Sequence, residues 1–487
     1  MTDAERENAL VDELRRALAP DRVHTDHLEL ALYGRDASLE RGEVAAVCFP
    51  LDTAEVQACV RLARAHRRPF VARGSGTGLA GGAVPRDRPI LIVTTRMNRI
   101  LEVDFEDRVA WVEPGVINLD LSRELRPHGF HFAPDPSSQQ SCSVGGNIAN
   151  NSGGPHCLAL GVTNSHVLAT EVVLPSGEIT VLGGLEAATA GLDLRGVMVG
   201  SEGCLGIVTR AAVRLTPNPP DVRTLLLDFE HAGDAATCVS GIIAAGVVPA
   251  AIEMMDQRIT QAVEAYVHAG YPTDAGAVLL VEVDGLAGGV EAEAAIVDRV
   301  GRGCGARTVR VAADEAERML LWKGRKTAFG AIARIKPNYY LHDTVVPRTK
   351  LLDVLNEVYA IADRHDLLVM NVFHAGDGNL HPLLVFDARE PGVLDRVHQA
   401  GSEIVRASLE AGGVLSGEHG IGLEKQPYMG YQFTPADLDA QARLRDSFDP
   451  DHLANPHKVL PSGSRCGDIM HLPPEDAARL LQQGVWT

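Results

Sequence analysis

The stretch Arg73-Gly74-Ser75-Gly76-Thr77-Gly78-Leu79-Ala80-Gly81-Gly82 decides the fold of the first half of the chain. Its glycines at 76, 78 and 81 fit the pattern G-x-G-x-x-G, which in a Rossmann dinucleotide-binding unit opens directly into a helix. Here residues 82–87 read Gly-Ala-Val-Pro-Arg-Asp, and an apolar strand follows at Ile90–Val93. The pattern therefore predicts a strand–loop–strand unit whose bare backbone N–H groups bind a pyrophosphate, with a glycine-rich surface turn as the alternative.

Two further glycine-rich segments lie downstream. Residues 134–154 read PDPSSQQSCSVGGNIANNSGG, which is long and polar but almost uncharged, and residues 200–209 read GSEGCLGIVT, a turn that opens into a strand. Small hydroxyls, amides and glycines suit hydrogen bonding to a phosphate, a ribityl chain or a flavin ring edge. Three such clusters in the first half of the chain imply one large nucleotide ligand that lies in a groove.

These clusters resemble a known FAD-binding domain. The first 220 residues are similar to the domain shared by vanillyl-alcohol oxidase and p-cresol methylhydroxylase, with residues 73–82 as the pyrophosphate loop and residues 134–154 as the flavin-contacting segment. Some members attach FAD through a histidine in the first loop, whereas this chain has Thr77-Gly78 there, so we expect non-covalent FAD. The predicted cofactor-binding residues are Arg73, Gly74, Ser75, Gly76, Thr77, Gly78, Pro134, Asp135, Ser138, Gly145, Gly146, Asn150, Gly154, Glu202, Ile207 and Asn455.

Two short runs in the second half carry a metal-type pattern. Residues 371–382 read NVFHAGDGNLHP and residues 416–422 read SGEHGIG. Gly-Asp-Gly-Asn is turn chemistry, so a strand–turn–strand unit can bring His374 and His381 together. Two imidazoles and a carboxylate, here Glu418, form a common site for a divalent metal such as zinc or manganese. His419 is then free to act as a base. The alternative is a pair of buried histidines beside a charged turn.

The whole chain resembles the FAD-linked D-2-hydroxy-acid dehydrogenases, and most closely the branch of the D subunit of glycolate oxidase. The metal-type runs carry this resemblance, together with residues 253–256 (EMMD) and 269–272 (AGYP). Residues 464–466 and 471–473 are a weaker part of the match. The resemblance implies that this chain works beside a second flavin-domain subunit and an iron–sulfur subunit.

The chemistry of 2-hydroxy-acid oxidation assigns roles to these residues. Arg325 is the expected anchor of the substrate carboxylate, because a guanidinium binds a carboxylate bidentately. The pattern Trp322-x-x-Arg325 resembles the family's substrate arginine, and a solvated helix arginine is the alternative. Leu341 and Leu383 stand where the hydroxyglutarate dehydrogenases have polar residues. We therefore predict a small monocarboxylate substrate, glycolate or D-lactate, and keep a non-catalytic flavoprotein subunit as a further alternative.

The coarse pattern of strands and helices predicts an α+β fold. A p-cresol methylhydroxylase-type FAD domain is expected at residues 41–219, after an N-terminal helical segment at residues 1–40. The Pro-rich residues 217–221 end it, and an α+β cap domain with the metal motif is expected at residues 220–430. We expect its antiparallel sheet to be covered by helices on one face. Residues 431–487 should form a C-terminal helical segment that returns to the FAD domain.

Composition narrows the function classes. The chain has 487 residues and a formal net charge of −19, which argues against non-specific nucleic-acid binding. The eight cysteines are scattered without a C-x-x-C pair, which fits a reducing compartment. No signal peptide or membrane span is expected, so we predict a cytoplasmic protein, held at the inner membrane only through partner subunits. A metallohydrolase would leave the glycine clusters unexplained, and an NAD-dependent reductase would need a helix after Gly82.

Overall fold

The computed structural model describes residues 3–185 and 190–461 of the chain. Its helices are α1 (Asp3–Leu18), α2 (His27–Tyr33), α3 (Thr53–Ala65), α4 (Asn118–Leu125), α5 (Val144–Asn150), α6 (Cys157–Leu160), α7 (Leu194–Met198), α8 (Ala232–Ala244), α9 (Gln257–Val267), α10 (Ala287–Gly303), α11 (Glu315–Lys326), α12 (Ala328–Ile332), α13 (Leu351–Arg364), α14 (Val393–Glu410), α15 (Met429–Gln432) and α16 (Pro435–Phe448). None of these helices combines the length and apolar character needed to cross a membrane, a finding that covers only the described residues.

The strands form sheets of mixed and antiparallel type. They are β1 (Val23–His24), β2 (Ala46–Cys48), β3 (Phe70–Arg73), β4 (Ile90–Val93), β5 (Ile100–Asp104), β6 (Val109–Val112), β7 (Phe130–His131), β8 (Val167–Val173), β9 (Ile179–Gly183), β10 (Ile207–Arg214), β11 (Thr216–Pro217), β12 (Asp221–Phe229), β13 (Ala251–Asp256), β14 (Ala277–Gly285), β15 (Thr308–Val311), β16 (Asn338–Leu341), β17 (Thr344–Val345), β18 (Leu368–His374), β19 (Asn379–Leu380) and β20 (Pro382–Phe386). The α+β prediction is confirmed.

The N-terminal half contains two main sheets. One has the order β1-β2-β4-β3, in which β2, β4 and β3 run parallel, and the other is antiparallel with the order β5-β6-β10-β8-β9. Helix α3 is capped by Asp52, whose carboxylate accepts from the Glu55 N–H, and buries Val56 and Val60 against the first sheet. Strand β3 ends at Arg73 and no helix begins before β4, so the predicted strand–loop–strand unit is confirmed.

The C-terminal half is built on a nine-stranded sheet with the order β15-β12-β14-β13-β18-β19-β17, to which β20 and β16 are attached. The pairings of β12 with β14, β14 with β13 and β13 with β18 are antiparallel, as predicted, but the prediction of helices on one face is wrong. Leu225 and Leu227 pack with helices α8, α10 and α13, whereas Leu226 packs with α9, α11 and α12 on the opposite face. The consecutive leucines of β12 are what a strand buried on both faces requires.

Two local features of the helices depend on hydroxyl side chains. Residues 144–150 form helix α5 inside the glycine-rich second segment, because the Ser143 hydroxyl accepts from the Gly146 N–H and caps the helix. Helix α11 ends at Lys326 and α12 begins at Ala328, so the two helices meet at Thr327. The Thr327 hydroxyl donates to the Lys323 carbonyl at 2.8 Å, a local bond that competes with continuation of the helix.

The C-terminal segment contacts the first sheet. The Phe70 N–H donates to the Leu453 carbonyl at 2.9 Å, and the Asn455 N–H donates to the Phe70 carbonyl at 2.8 Å. These bonds place Ala454 beside β3, just before the first glycine loop. The resemblance noted at residues 464–466 and 471–473 lies outside the described residues.

Candidate functional site

A cavity of about 560 Å³ lies where the three glycine-rich segments meet the two metal-type runs. This volume is typical of a ligand site. The predicted site residues that line it are Gly74, Ser75, Gly76, Thr77, Gly78, Ser138, Gly146, Asn150, Glu202, His381, Glu418 and His419. The predicted residues that do not line it are Arg73, Pro134, Asp135, Gly145, Gly154, Ile207, Asn455, Arg325 and His374.

The first glycine loop has the backbone and the free donor that a phosphate needs. Gly76 has φ +73°, a left-handed conformation that favours glycine, and a Cβ there would lie 2.1 Å from Arg73 Nη2. The guanidinium of Arg73 is buried, and its Nη1 has no hydrogen-bond partner among the described residues. A buried unpaired donor costs free energy unless a ligand accepts from it. This loop therefore fits the pyrophosphate of FAD.

Asn455 and Glu202 connect the loops that surround the cavity through hydrogen bonds to their backbone groups. The Asn455 Nδ2 donates to the carbonyls of Gly82 at 2.9 Å and Glu202 at 2.7 Å. The Glu202 carboxylate accepts from the N–H groups of Ile421 at 2.7 Å and Gly422 at 2.8 Å. Burial raises the pKa of Glu202 to about 7, although these amides oppose the shift. Glu202 thus joins the third glycine segment to the second metal-type run.

Four other predicted cofactor residues shape the second segment or its surroundings. The Pro134 carbonyl accepts from Asn118 Nδ2 at 2.8 Å. A Cβ on Gly145 would lie 2.5 Å from the Pro114 Cβ, and one on Gly154 would lie 2.6 Å from the Asp135 carbonyl carbon. Ile207 lies in the apolar core behind the first sheet.

The hairpin of β18 and β19 brings the two predicted metal histidines together. His374 pairs directly with Asn379 across the turn, and Gly378 has φ +73°. The rings of His374 and His381 lie 5.1 Å apart between centroids. The Glu418 Oε1 lies 3.2 Å from the Nε2 atoms of both histidines. These three side chains offer ligand atoms within 4.8 Å of one another.

The partners of the two rings fit a divalent metal. Nδ1 of His374 lies 2.7 Å from Glu253 Oε1, and Nδ1 of His381 lies 3.3 Å from the His342 carbonyl. Such partners orient a ligating imidazole and direct its other nitrogen towards the metal. Burial alone would lower the pKa of His374, but Glu253 and Glu418 raise it to about 10. A bound cation would replace that proton, because a metal ligand must be deprotonated.

Asp343 holds the loop that carries Glu418 and His419. Its carboxylate accepts from the N–H groups of Gly417 at 3.1 Å and His419 at 2.9 Å, and from Lys425 Nζ at 3.0 Å. Burial would raise the pKa of Asp343, but Lys425 and the neighbouring histidines hold it well below its usual range. Asp343 also lies near the rings of His381 and His419. Its carboxylate oxygens, however, already accept from the N–H groups of Gly417 and His419 and from Lys425 Nζ.

His419 is placed to accept a proton. Its ring stacks on His381 with centroids 5.1 Å apart and an angle of 4° between the planes. Burial lowers the pKa of His419 to about 4, although the nearby Asp343 carboxylate opposes the shift. The imidazole is therefore neutral at pH 7 and can act as a general base.

Arg325 is more enclosed than a solvated helix arginine. It is 1% exposed, and its Nε and Nη2 donate to the Glu253 Oε2 at 2.6 and 2.5 Å. Its Nη1 has no hydrogen-bond partner among the described residues. Glu253 therefore bridges Arg325 and His374, and one guanidinium donor remains available.

Glu253 and Asp343 are not among the predicted site residues, although Glu253 supports His374 and Asp343 supports the His419 loop. A signal for Glu253 was present, because it is an acid within the apolar strand β13, and a buried carboxylate needs a charged or hydrogen-bonded partner. Lys326, which lines the cavity, is not among the predicted site residues. Its position depends on the rotational phase of α11, which the sequence alone does not fix.

Comparisons with known proteins identify the family. A family model described as "FAD binding domain" matches residues 44–183, and one described as "FAD linked oxidases, C-terminal domain" matches residues 218–459. The chain is 43% identical to the glycolate oxidase subunit GlcD of Escherichia coli K12, over 92% of this chain and 91% of that protein. It is 32% identical to a D-lactate dehydrogenase of Anaerostipes hadrus, over 91% of this chain and 94% of that protein.

Solved structures bear on the fold. The 4-ethylphenol oxidase of Gulosibacter chungangensis has a TM-score of 0.78 at 18% identity, covering 94% of this chain and 98% of that one. A p-cresol methylhydroxylase has a TM-score of 0.76 at 16% identity, covering 94% and 97%. The predictions of a p-cresol methylhydroxylase-type fold and of FAD as cofactor are confirmed. The chain belongs to the family of FAD-linked oxidases and is an FAD-dependent oxidoreductase.

Proposed function

We propose that this chain oxidises a small 2-hydroxy monocarboxylate, glycolate, to glyoxylate. In this reaction the substrate loses a hydride from C2, which bound FAD would accept, and its hydroxyl proton, which a protein base would take. The observation that carries the proposal is the position of Glu418 Oε1, 3.2 Å from both histidine Nε2 atoms, beside the neutral His419 at one cavity wall. The similarity to GlcD proteins, 43% for Escherichia coli and 39% for Bacillus subtilis, supports glycolate.

His419 is the proposed base for the substrate hydroxyl. Its neutral imidazole would take the proton as the C2–H bond breaks. Asp343 keeps His419 in place through its backbone N–H, so the base does not depend on loop motion for its position. When bound, FAD supplies the hydride acceptor, and a zinc or manganese ion held by His374, His381 and Glu418 supplies Lewis acidity.

Arg325 is the proposed anchor of the substrate carboxylate. The free Nη1 donor supports this role, because a buried guanidinium donor gains most from a charged acceptor. Glu253 neutralises the rest of the guanidinium and fixes its plane. The same carboxylate orients His374, so anchor and metal ligand share one support.

The apolar part of the cavity supports a monocarboxylate. Leu79, Phe329 and Tyr339 line it beside His381. Leu341 and Leu383 are direct partners across β16 and β20 and are both buried in the apolar core. A second substrate carboxylate packed against these apolar side chains would lose its hydration without gaining a partner from them. D-Lactate is the second candidate, because the same apolar wall would accept its methyl group.

An anaerobic titration of the purified, metal-replete protein tests the function. Glycolate, D-lactate and D-2-hydroxyglutarate are added in turn while the flavin absorption is recorded, with L-lactate as the stereochemical control. We expect bleaching by glycolate at the lowest concentration, then by D-lactate. Faster reduction by D-2-hydroxyglutarate would overturn the monocarboxylate assignment. A yellow protein that no 2-hydroxy acid bleaches would overturn the catalytic role and favour a non-catalytic flavoprotein subunit.

We also infer that the chain works in the cytoplasm with a second flavin-domain subunit and an iron–sulfur subunit, which hold it at the inner membrane. The name of its GlcD relatives, glycolate oxidase subunit, supports an assembly of several chains. Reoxidation of the substrate-reduced flavin by a quinone analogue should then be slow for the isolated chain and fast after reconstitution. Equal rates in both cases, or fractionation of the chain away from membranes in the presence of its partners, would contradict this.

A further inference from the structure

The charges that line the cavity are unbalanced. Three carboxylates line it, those of Asp36, Glu202 and Glu418, and the chain as a whole carries a net charge of −19. Of the described residues that line the cavity, Lys326 is the only lysine or arginine. Lys326 is therefore the fixed cation among these described lining residues that could bind a hydroxy-acid anion.

Lys326 is held at this wall without being fully paired. It is the last residue of α11, where a cation also interacts favourably with the helix dipole. Its Nζ lies 3.7 Å from Asp135 Oδ2 and 6.0 Å from the centre of the Trp322 ring, and its side chain is 28% exposed. At 3.7 Å the ammonium is attracted to Asp135 but lies beyond hydrogen-bond distance, so its donors remain available to a ligand.

Asp135 has a closer partner in His156. The His156 Nδ1 lies 2.9 Å from Asp135 Oδ2, and its Nε2 lies 3.5 Å from Glu282 Oε1. Burial would lower the pKa of His156, but Asp135 and Glu282 raise it to about 10. The imidazolium therefore balances Asp135, and Lys326 keeps its charge for another anion.

The ring under Lys326 belongs to the same network. The Trp322 Nε1 donates to Glu282 Oε2 at 2.5 Å, and the His156 ring stacks on Trp322 with centroids 5.7 Å apart. Asp135 and His156 lie in the N-terminal half, whereas Glu282 and Trp322 lie in the C-terminal half. The network thus fixes the last turn of α11 relative to the flavin-side wall.

We propose that Lys326 is a substrate-binding cation that attracts the carboxylate of the 2-hydroxy acid, and that His156 is its positioning residue. The inference rests on the proposed function, since it concerns the same substrate. It differs from the role of Arg325, whose guanidinium is buried against Glu253 and does not line the cavity. Lys326 attracts the anion at the cavity wall, whereas Arg325, which is 1% exposed, has only its Nη1 donor to offer the carboxylate.

The test compares Lys326→Gln, Lys326→Arg and the control Lys323→Gln in holoprotein. Lys323 is exposed on the same turn and does not line the cavity. Stopped-flow flavin reduction gives the apparent glycolate Kd and the limiting rate. We expect Lys326→Gln to raise Kd about tenfold to a hundredfold, the range for a lost charge-assisted hydrogen bond, with an unchanged limiting rate. Lys326→Arg should restore most of the affinity, and Lys323→Gln should change nothing.

A second measurement separates this inference from the proposed function. Oxalate, an anion that the enzyme need not oxidise, is titrated against the flavin spectrum of the same variants. If the wild type binds oxalate and Lys326→Gln binds it equally well, the Lys326 proposal is wrong whatever the substrate. If glycolate reduces the wild type and only the limiting rate or the flavin potential changes in Lys326→Gln, the cation serves the flavin, and the proposal is also wrong. A wild type that neither binds oxalate nor is reduced would overturn both proposals.

His156→Gln tests the positioning role. We expect a higher glycolate Kd, because Asp135 would then pair with Lys326, while the absorption of bound flavin stays unchanged. In the double variant with Lys326→Gln, the loss of His156 should add no further increase in Kd. Additive effects of the two substitutions would show that His156 does not act through Lys326.

Discussion

The cofactor side and the substrate side of the cavity are built in opposite ways. The glycine segments offer backbone groups, and several of their glycines have no room for one more carbon, as at Gly145 beside Pro114. The substrate side offers titratable side chains that buried carboxylates hold in place, such as Glu253 behind His374 and Asp343 beside the His419 backbone. The first side should therefore be sensitive to added atoms, and the second to lost charges.

The largest expected effect is at the base. His419→Gln keeps a polar side chain of similar reach but removes the group that takes the hydroxyl proton. We expect the limiting rate of flavin reduction to fall about a thousandfold, within the range for loss of a general base. FAD content should stay normal, since the change is on the substrate side. Stopped-flow reduction by glycolate measures the rate.

His452→Gln is the matched control, because His452 is exposed and does not line the cavity. A His419→Gln protein that is reduced at more than a tenth of the wild-type rate would assign the base to another residue.

The next largest effect is expected at Glu253, the carboxylate that supports the proposed metal ligand His374. Glu253→Gln keeps the volume but removes the charge shared by Arg325 and His374. Loss of such a second partner typically costs 10- to 100-fold in metal affinity or activity. We expect a fall of about that size in zinc or manganese affinity, measured by competition with a chelator, and a parallel fall in turnover.

Glu357→Gln on the exposed side of α13 serves as control. Metal affinity that is unchanged in Glu253→Gln, together with reduced turnover, would separate Glu253 from the metal and leave it as a partner of Arg325 only.

The contrast also explains how far sequence reasoning reaches. The turn Gly-Asp-Gly-Asn and the glycine segments are local patterns, so the hairpin, the strand–loop–strand unit and the cofactor type could be predicted from them. The pairing of Glu253 with His374 could not, because it depends on the register of β13 and β18, whose residues lie 121 positions apart in sequence. The phase of α11 likewise decides that Arg325 is buried while its neighbour Lys326 lines the cavity.

Helix coverage of the sheet was mispredicted for a related reason. Alternation along a strand predicts one buried face, but β12 carries three consecutive leucines that are all buried. Their opposite faces pack against different helix sets. Only the tertiary arrangement decides which helices cover which face, although consecutive apolar residues are a signal for burial on both.

A smaller effect is expected from one added carbon on the cofactor side. Gly145→Ala should destabilise the protein by about 1–3 kcal/mol, because its Cβ would lie 2.5 Å from the Pro114 Cβ and 3.0 Å from the Pro114 carbonyl oxygen. Helix propensity acts in the other direction by about 1 kcal/mol, so the clash prevails. Thermal unfolding with and without FAD, and the FAD content after purification, measure the effect.

Gly289→Ala is the control with the opposite sign. Gly289 lies in α10 with no atom within 4 Å of an added Cβ, so the same substitution should slightly stabilise the protein. If Gly145→Ala were as stable as Gly289→Ala and kept its FAD, the backbone at Gly145 would have to shift easily, and the proposed sensitivity of this side would be wrong.

The smallest effect concerns the N-cap of α5, where the cofactor side of the cavity depends on a side chain and not only on backbone groups. The Ser143 hydroxyl accepts from the Gly146 N–H at 3.3 Å, and a Cβ on Gly74 would lie within 2.3 Å of the same oxygen. Ser143→Ala should lower the free energy of unfolding by about 1 kcal/mol, the usual value of an N-cap. It should also weaken FAD binding, because the hydroxyl lines the cavity between two glycine segments.

Asp193→Ala separates these two consequences. Asp193 caps α7 by accepting from the Gly196 N–H at 2.9 Å and does not line the cavity. It should lose similar stability in thermal unfolding but keep its FAD affinity, measured by fluorescence titration of the apoprotein. Equal FAD affinities in both variants would mean that Ser143 serves only the helix, and that the cofactor side is recognised by backbone alone. A selective loss of FAD affinity in Ser143→Ala would instead show that this hydroxyl contributes to FAD binding, so that the cofactor side is sensitive to a lost side-chain atom as well as to an added one.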